Sequence, residues 1–208
     1  MRSLSPKAAG PLVAGLLLLA GCSGGSSPEP APRPSASPSP SSTETTSAAP
    51  ASVPWKVVVT RVSGKLPKKS VAPLEGNVRA TLASYVDGAF LAGDYPRDDF
   101  GDAFGAFTAG AARDARRDQD LLTNHPLGAS TTSVRATRRT AYLSVLAPYK
   151  VAAGVTAKVD LVFVVDRGDQ PAQRVAVAGR LLLTRDKSND WRVFGYDLHR
   201  SGTPRSES

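Results

Sequence analysis

An α+β domain is the fold class this sequence predicts, and three observations predict it. Between residues 70 and 125 the apolar side chains recur at helical spacing. Beyond Gly128 the spacing changes to alternation, the period of a half-buried strand. The two blocks do not interleave, so N-terminal helices should pack on one face of a curved antiparallel sheet instead of filling crossovers between parallel strands.

The elements follow in order. Residues 1–21 carry Arg2 and Lys7, no acidic residue, a short apolar run over 12–20 and then small residues. A basic head, an apolar stretch and a small-residue close make a secretory signal. The run is shorter than the roughly 20 apolar residues that cross a bilayer. It ends at Cys22, the single cysteine in the chain. Leu19-Ala20-Gly21-Cys22 resembles the lipobox of bacterial lipoproteins. That resemblance implies lipidation of the Cys22 thiol, cleavage before it, and anchoring through lipid to the outer face of the cytoplasmic membrane. A plain signal peptide with an incidental cysteine is the competing reading. Gly21-Cys22-Ser23-Gly24-Gly25 also fits the G-x-S-x-G nucleophile elbow. That elbow needs a strand before it and a helix after it, and neither fits here.

Residues 22–53 are mostly Ser, Pro, Ala, Thr and Gly with hardly a large apolar side chain. Such a segment cannot bury enough surface to offset its ordering entropy, and reads as a disordered tether. About 30 residues of this kind reach roughly 30 Å as a coil and roughly 90 Å when extended. Residues 54–200 have the length of one domain, and residues 201–208 read as a frayed polar tail.

Inside the domain, Trp55-Lys56-Val57-Val58-Val59-Thr60-Arg61-Val62 is a first strand, rich in β-branched residues. Pro73 suits the first turn of a helix. Val78, Leu82, Tyr85, Val86, Ala89 and Phe90 then share one helical face, and Gly93-Asp94-Tyr95-Pro96 stops it. Phe100, Phe104 and Phe107 mark a second helical stretch, short or irregular because Gly101 and Gly105 each weaken it by about 1 kcal/mol. Thr108 can cap a third helix running to Leu122, and "TNHPLG" ends it. Val155, Ala157, Val159, Leu161, Phe163 and Val165 form one strand face, and Val175, Val177, Leu181 and Leu183 the next. "DRGDQPAQ" and "DKSND" are the turns around them, and "WRVFGYDLHR" closes a long antiparallel meander.

With its long first helix, "FGDAFGAFTAGAARDARRDQDLLTN" and the closing "DWRVFGYD", the chain resembles the nuclear transport factor 2-like superfamily over residues 70–200. The resemblance implies a cone whose helices and sheet enclose a pocket. Some members hold an enzyme there, and others bind a ligand or a partner. Phe104, Phe107, Val159, Leu161 and Phe163 are the residues expected to line such a pocket, around an apolar small molecule.

The inventory argues against several chemistries. Two histidines and one cysteine make no zinc site, so no metal and no cofactor is expected. Asp160 alternates away from the apolar face, and His125 and His199 sit in a turn and beside the tail. Tyr85, Asp87, Tyr142 and Tyr196 form no recognisable acid–base set, and no catalytic residue is assigned. The formal charge of +8 falls to +6 without Arg2 and Lys7, which favours anionic lipid or acidic wall polymers over nucleic acid in an exported protein. Arg113, Arg116 and Arg117 interleave with Asp114 and Asp118 as a solvated face, whereas Arg135, Arg138 and Arg139 lack neighbouring acids and suit a charged edge strand. The expectation is therefore a lipid-anchored, non-catalytic binding or accessory module of the cell envelope, for an apolar ligand or an envelope protein. An isomerase- or dehydratase-like enzyme of the same fold, or a structural scaffold, is the alternative.

Overall fold

A computed structural model describes residues 53–204. The signal segment, Cys22 and the tether up to residue 52 lie outside the described residues. The described residues fall in one compact unit, with a single hydrophobic core.

Strand β1 (Lys56–Gly64) comes first, then α1 (Val71–Val86). A single π-turn, Asp87–Leu91, continues α1 and closes with the Ala92 N–H donating to the Asp87 carbonyl at 2.7 Å. The aromatic stretch Gly101–Ala106 is a 3-10 helix, the irregular form expected of a glycine-broken segment. The Thr108 hydroxyl accepts from the Ala111 N–H and caps α2 (Ala109–Arg117). The third helix is not continuous to Leu122: it breaks at Asp118 and resumes as α3 (Gln119–Leu122). "TNHPLG" does not only terminate it but forms a further turn, α4 (His125–Gly128), where Pro126 occupies a first-turn position that needs no N–H.

The remaining strands are β2 (Ser133–Ala147), β3 (Gly154–Arg167), β4 (Gln170–Arg185) and β5 (Trp191–Pro204), in sheet order β1-β2-β3-β4-β5. The sheet is open and mixed, which corrects the expectation of a wholly antiparallel one: β1 runs parallel to β2, with Lys56 opposite Thr140 and Gly64 opposite Ala147. All the helices among the described residues lie in the connection between these two strands, the long crossover that a parallel pair requires. The end of the chain differs as well. Strand β5 continues through Ser201 to Pro204, paired with residues 173–176 of β4, where a frayed tail was expected.

The inward face is as the alternation requires, although Val162 and Val164 on the opposite face of β3 are buried as well. Val155, Ala157, Val159, Leu161, Phe163 and Val165 face inward with Val175, Val177, Leu181 and Leu183, and all are buried. The α1 face from Leu74 through Val78, Leu82 and Tyr85 covers them together with Phe90. Gly179 interrupts β4 at φ 139°, and a Cβ there would lie 2.1 Å from the Asp197 carbonyl oxygen. Only glycine allows β5 to approach β4 so closely at that point.

Candidate functional site

The space enclosed between helices and sheet is occupied by the chain's own aromatic side chains. Tyr85 and Phe107 meet edge to face at 4.9 Å, Phe104 and Phe107 at 5.4 Å, and Phe90 packs on Phe163 at 5.6 Å. Each such pair contributes about 0.5–1.5 kcal/mol beyond simple burial. The Tyr85 hydroxyl donates to the Leu122 carbonyl at 2.8 Å, and burial pushes its pKa far above the ordinary tyrosine value. Phe104, Phe107, Val159, Leu161 and Phe163 are thus brought together, all buried in one core, and they line neither of the two clefts described below.

The polar groups singled out from the sequence are dispersed. Asp87 pairs with Arg139, a buried guanidinium that also donates to the Val53 carbonyl and lies 5.3 Å from the Trp55 ring. Asp160 pairs with Arg138 across β2 and β3 at 2.9 Å. Two of the arginines expected to lack acids therefore have them, and β2 is no edge strand from Thr140 onward, because β1 pairs with it there. The Tyr196 hydroxyl donates to Asp118 at 2.7 Å; partial burial and that bond push its pKa up to about 12. His125 meets Asp120 at 2.7 Å on the surface, His199 is exposed on β5, and Tyr142 is half exposed on the outer face of the sheet. Arg200 donates to the Thr123 carbonyl and to Asn124 Oδ1, fastening β5 to the α3–α4 corner. Each of Asp87, Asp160, Tyr85 and Tyr196 is spent on its own structural partner, so they do not converge on a common point. Among the described residues no three His, Cys, Asp or Glu side chains are grouped to hold a metal.

Two open concavities lie elsewhere, on the surface beside α1. One cleft of about 450 Å³ is bounded by Asn77, Thr81 and Ser84 of α1 and by Arg185, Trp191 and Arg192 of the β4–β5 hairpin. A second of about 350 Å³ is bounded by Leu66, Lys69, Pro73, Lys150 and Val151. They share Asn77 and Arg185, and together form a groove running to the end of the domain where α1 begins.

The groove has a rigid wall. Arg192 donates to Asp186 at 2.9 Å and to the Gly105 carbonyl at 2.9 Å. Asp186 also accepts from the Ser188 and Asp190 N–H groups, and the Arg192 bond heads the causes that hold its carboxyl below the usual range. Arg185 lies over the Trp191 ring at 4.8 Å and donates to Asn189 Oδ1 at 2.7 Å. The sequence showed "DKSND" as a turn but gave no signal that the flanking arginines would wall a groove with α1.

No protein-family model, no curated protein and no solved structure matches this chain.

Proposed function

We propose that the chain is an exported, lipid-anchored accessory module of the cell envelope, with a nuclear transport factor 2-like domain that binds through its surface and performs no catalysis. One observation carries this reading: the aromatic residues expected to surround a ligand pack on one another, while the candidate acid–base groups are held apart by structural partners. An enzyme of this architecture needs a base and a donor facing a common cavity. The groove beside α1 is polar and cationic and open to solvent, a setting suited to capture of a partner. Anchoring follows from Leu19-Ala20-Gly21-Cys22.

Cell fractionation tests the anchor. Cys22→Ser should move the protein from the membrane fraction to the soluble exported fraction and remove the lipid mass from the mature N-terminus. Unchanged membrane association without any lipid mass would refute it. Solvent extraction of the purified domain tests the other half, since an accessory module with a packed interior should release no stoichiometric apolar molecule.

A further inference from the structure

One end of the domain combines exposed apolar side chains with lysines in a way that the packing does not explain. At this end β1 gives way to the segment leading into α1, and β2 turns into β3. The two are stitched together by the Lys65 N–H donating to the Ala147 carbonyl at 3.1 Å, and the β2–β3 loop is closed by the Ala153 N–H donating to the Leu146 carbonyl at 2.8 Å. Leu146 is 53% exposed, Tyr149 87% and Val151 61%. The same two segments carry Lys65, Lys68, Lys69 and Lys150, all exposed, and Lys69 and Lys150 share a cleft with Val151. Lys150 sits at φ 65°, a conformation in which glycine or asparagine is the ordinary choice, yet the chain places a cation there between Tyr149 and Val151.

Acidic side chains are missing from both segments, residues 61–74 and 144–158. Those that come near are engaged: Glu75 accepts from the Val59 N–H at 2.8 Å, Asp186 is bound to Arg192, and Asp190 lies 4.0 Å from the same arginine. Lys187 adds a further cation on the adjoining turn, and the first turn of α1, whose dipole is positive, holds no acidic residue. Asp166, near the end of β3, and Asp169, in the β3–β4 turn, lie at the opposite end of the sheet.

We infer that this end is a membrane-docking face, which lies against a bilayer carrying anionic head groups. Tyrosine is amphipathic and settles at the head-group level, and lysine stems lie along the apolar surface while their ammonium groups reach the phosphates. Leu146 and Val151 supply the shallow apolar contact. No helix among the described residues is long and apolar enough to cross a membrane, so the contact is peripheral. The face is independent of Cys22: a lipid anchor sets the distance of the domain from the bilayer, whereas this face sets its orientation, with the Asp166–Asp169 end directed away.

The test uses the Ser47–Ser208 unit, which lacks the signal segment and Cys22, so its outcome is separate from that of the anchor experiment. It should co-sediment with phosphatidylcholine vesicles containing phosphatidylglycerol, and not with vesicles of phosphatidylcholine alone. Removing one lysine should weaken binding about fivefold, the equivalent of about 1 kcal/mol per basic residue near an anionic surface. Lys69→Gln with Lys150→Gln should then lose about 25-fold, again at that value per lysine. Arg113→Gln with Arg174→Gln, the same charge change on other surfaces, should lose little. Tyr149→Trp should show a blue-shifted emission on vesicle binding that resists added quencher. Absence of binding to the anionic vesicles, equal losses in the two charge pairs, or an unshifted tryptophan would each overturn the inference. So would equal retention on soluble polyphosphate by the wild type and Tyr149→Ser, which would mark a general polyanion surface. All the substituted side chains are exposed, and circular dichroism of each variant confirms that the fold is intact.

Discussion

The guanidinium of Arg139, buried on β2, donates through Nη2 to the carboxylate of Asp87 at the π-turn that ends α1. The bond joins the long helix to the sheet at the point where β1 begins. Removing the Asp87 charge takes away part of the compensation of a buried guanidinium. Asp87 is 42% exposed, so water recovers part of the loss. Asp87→Asn should therefore destabilise the domain by about 2 kcal/mol, below the full cost of breaking a buried pair. Arg139→Met combined with Asp87→Leu should cost less than the sum of the single changes in urea denaturation. Strict additivity would show that the pair is not coupled.

The aromatic interior makes a second expectation. Leu161 is 2% exposed and Phe163 fully buried. Leu161→Trp should overpack the core and cost about 1–3 kcal/mol, and Phe163→Ala should leave a cavity and cost about 3–5 kcal/mol. Thermal denaturation of both variants checks this. A Leu161→Trp variant as stable as the wild type would reveal spare room beside the sheet and revive an internal ligand.

Gly179 gives a backbone test. With φ at 139° and the Asp197 carbonyl oxygen 2.1 Å from a Cβ position, Gly179→Ala must either distort β4 or push β5 away. A loss of more than about 1 kcal/mol is expected, against the gain of several tenths that Gly→Ala brings where the conformation is compatible. Gly110→Ala, in α2 with open space around it, should be neutral or stabilising.

Alkaline stability follows from Tyr196. Its folded pKa, pushed up to about 12, lies above that of an unfolded tyrosine. Its contribution is thus fully present below the unfolded value near 10 and is lost as pH rises from there to the folded value. Tyr85 acts in the same direction. Stability measured against pH should fall through this alkaline window, and Tyr196→Phe should flatten part of the slope. Tyrosinate absorbance should show these two rings titrating late.

Local periodicity made much of this fold legible. The odd positions from Val155 to Val165 and from Val175 to Leu183 face the core as their alternation requires, and Thr108 caps α2 as its side chain allows. What escaped depends on partners remote in the chain. Nothing within β1 reveals that Val59 will lie beside Leu143, so the parallel pairing was invisible. Arg138 and Arg139 looked unpaired because Asp160 and Asp87 approach them only after the sheet and helix have packed. The same holds for the groove, whose walls come from α1 and from a hairpin more than a hundred residues later. Tyr149 and Val151 escape for a different reason: they lie in the turn between β2 and β3, where no period assigns a side chain to a face.

The parallel pairing of β1 with β2 also dictates an order of assembly. When the chain emerges from its N-terminus, β1 appears first but has no strand to join until all the helices and then β2 have followed. The β2–β5 meander closes by neighbouring turns and can form early, whereas β1 must be captured across the longest loop in the domain. Until then "KVVVTRV" is an apolar, β-prone segment with unpaired edges, the kind that invites association with other chains. Lys56 and Arg61, charged and exposed within it, stand where gatekeepers against that association are needed.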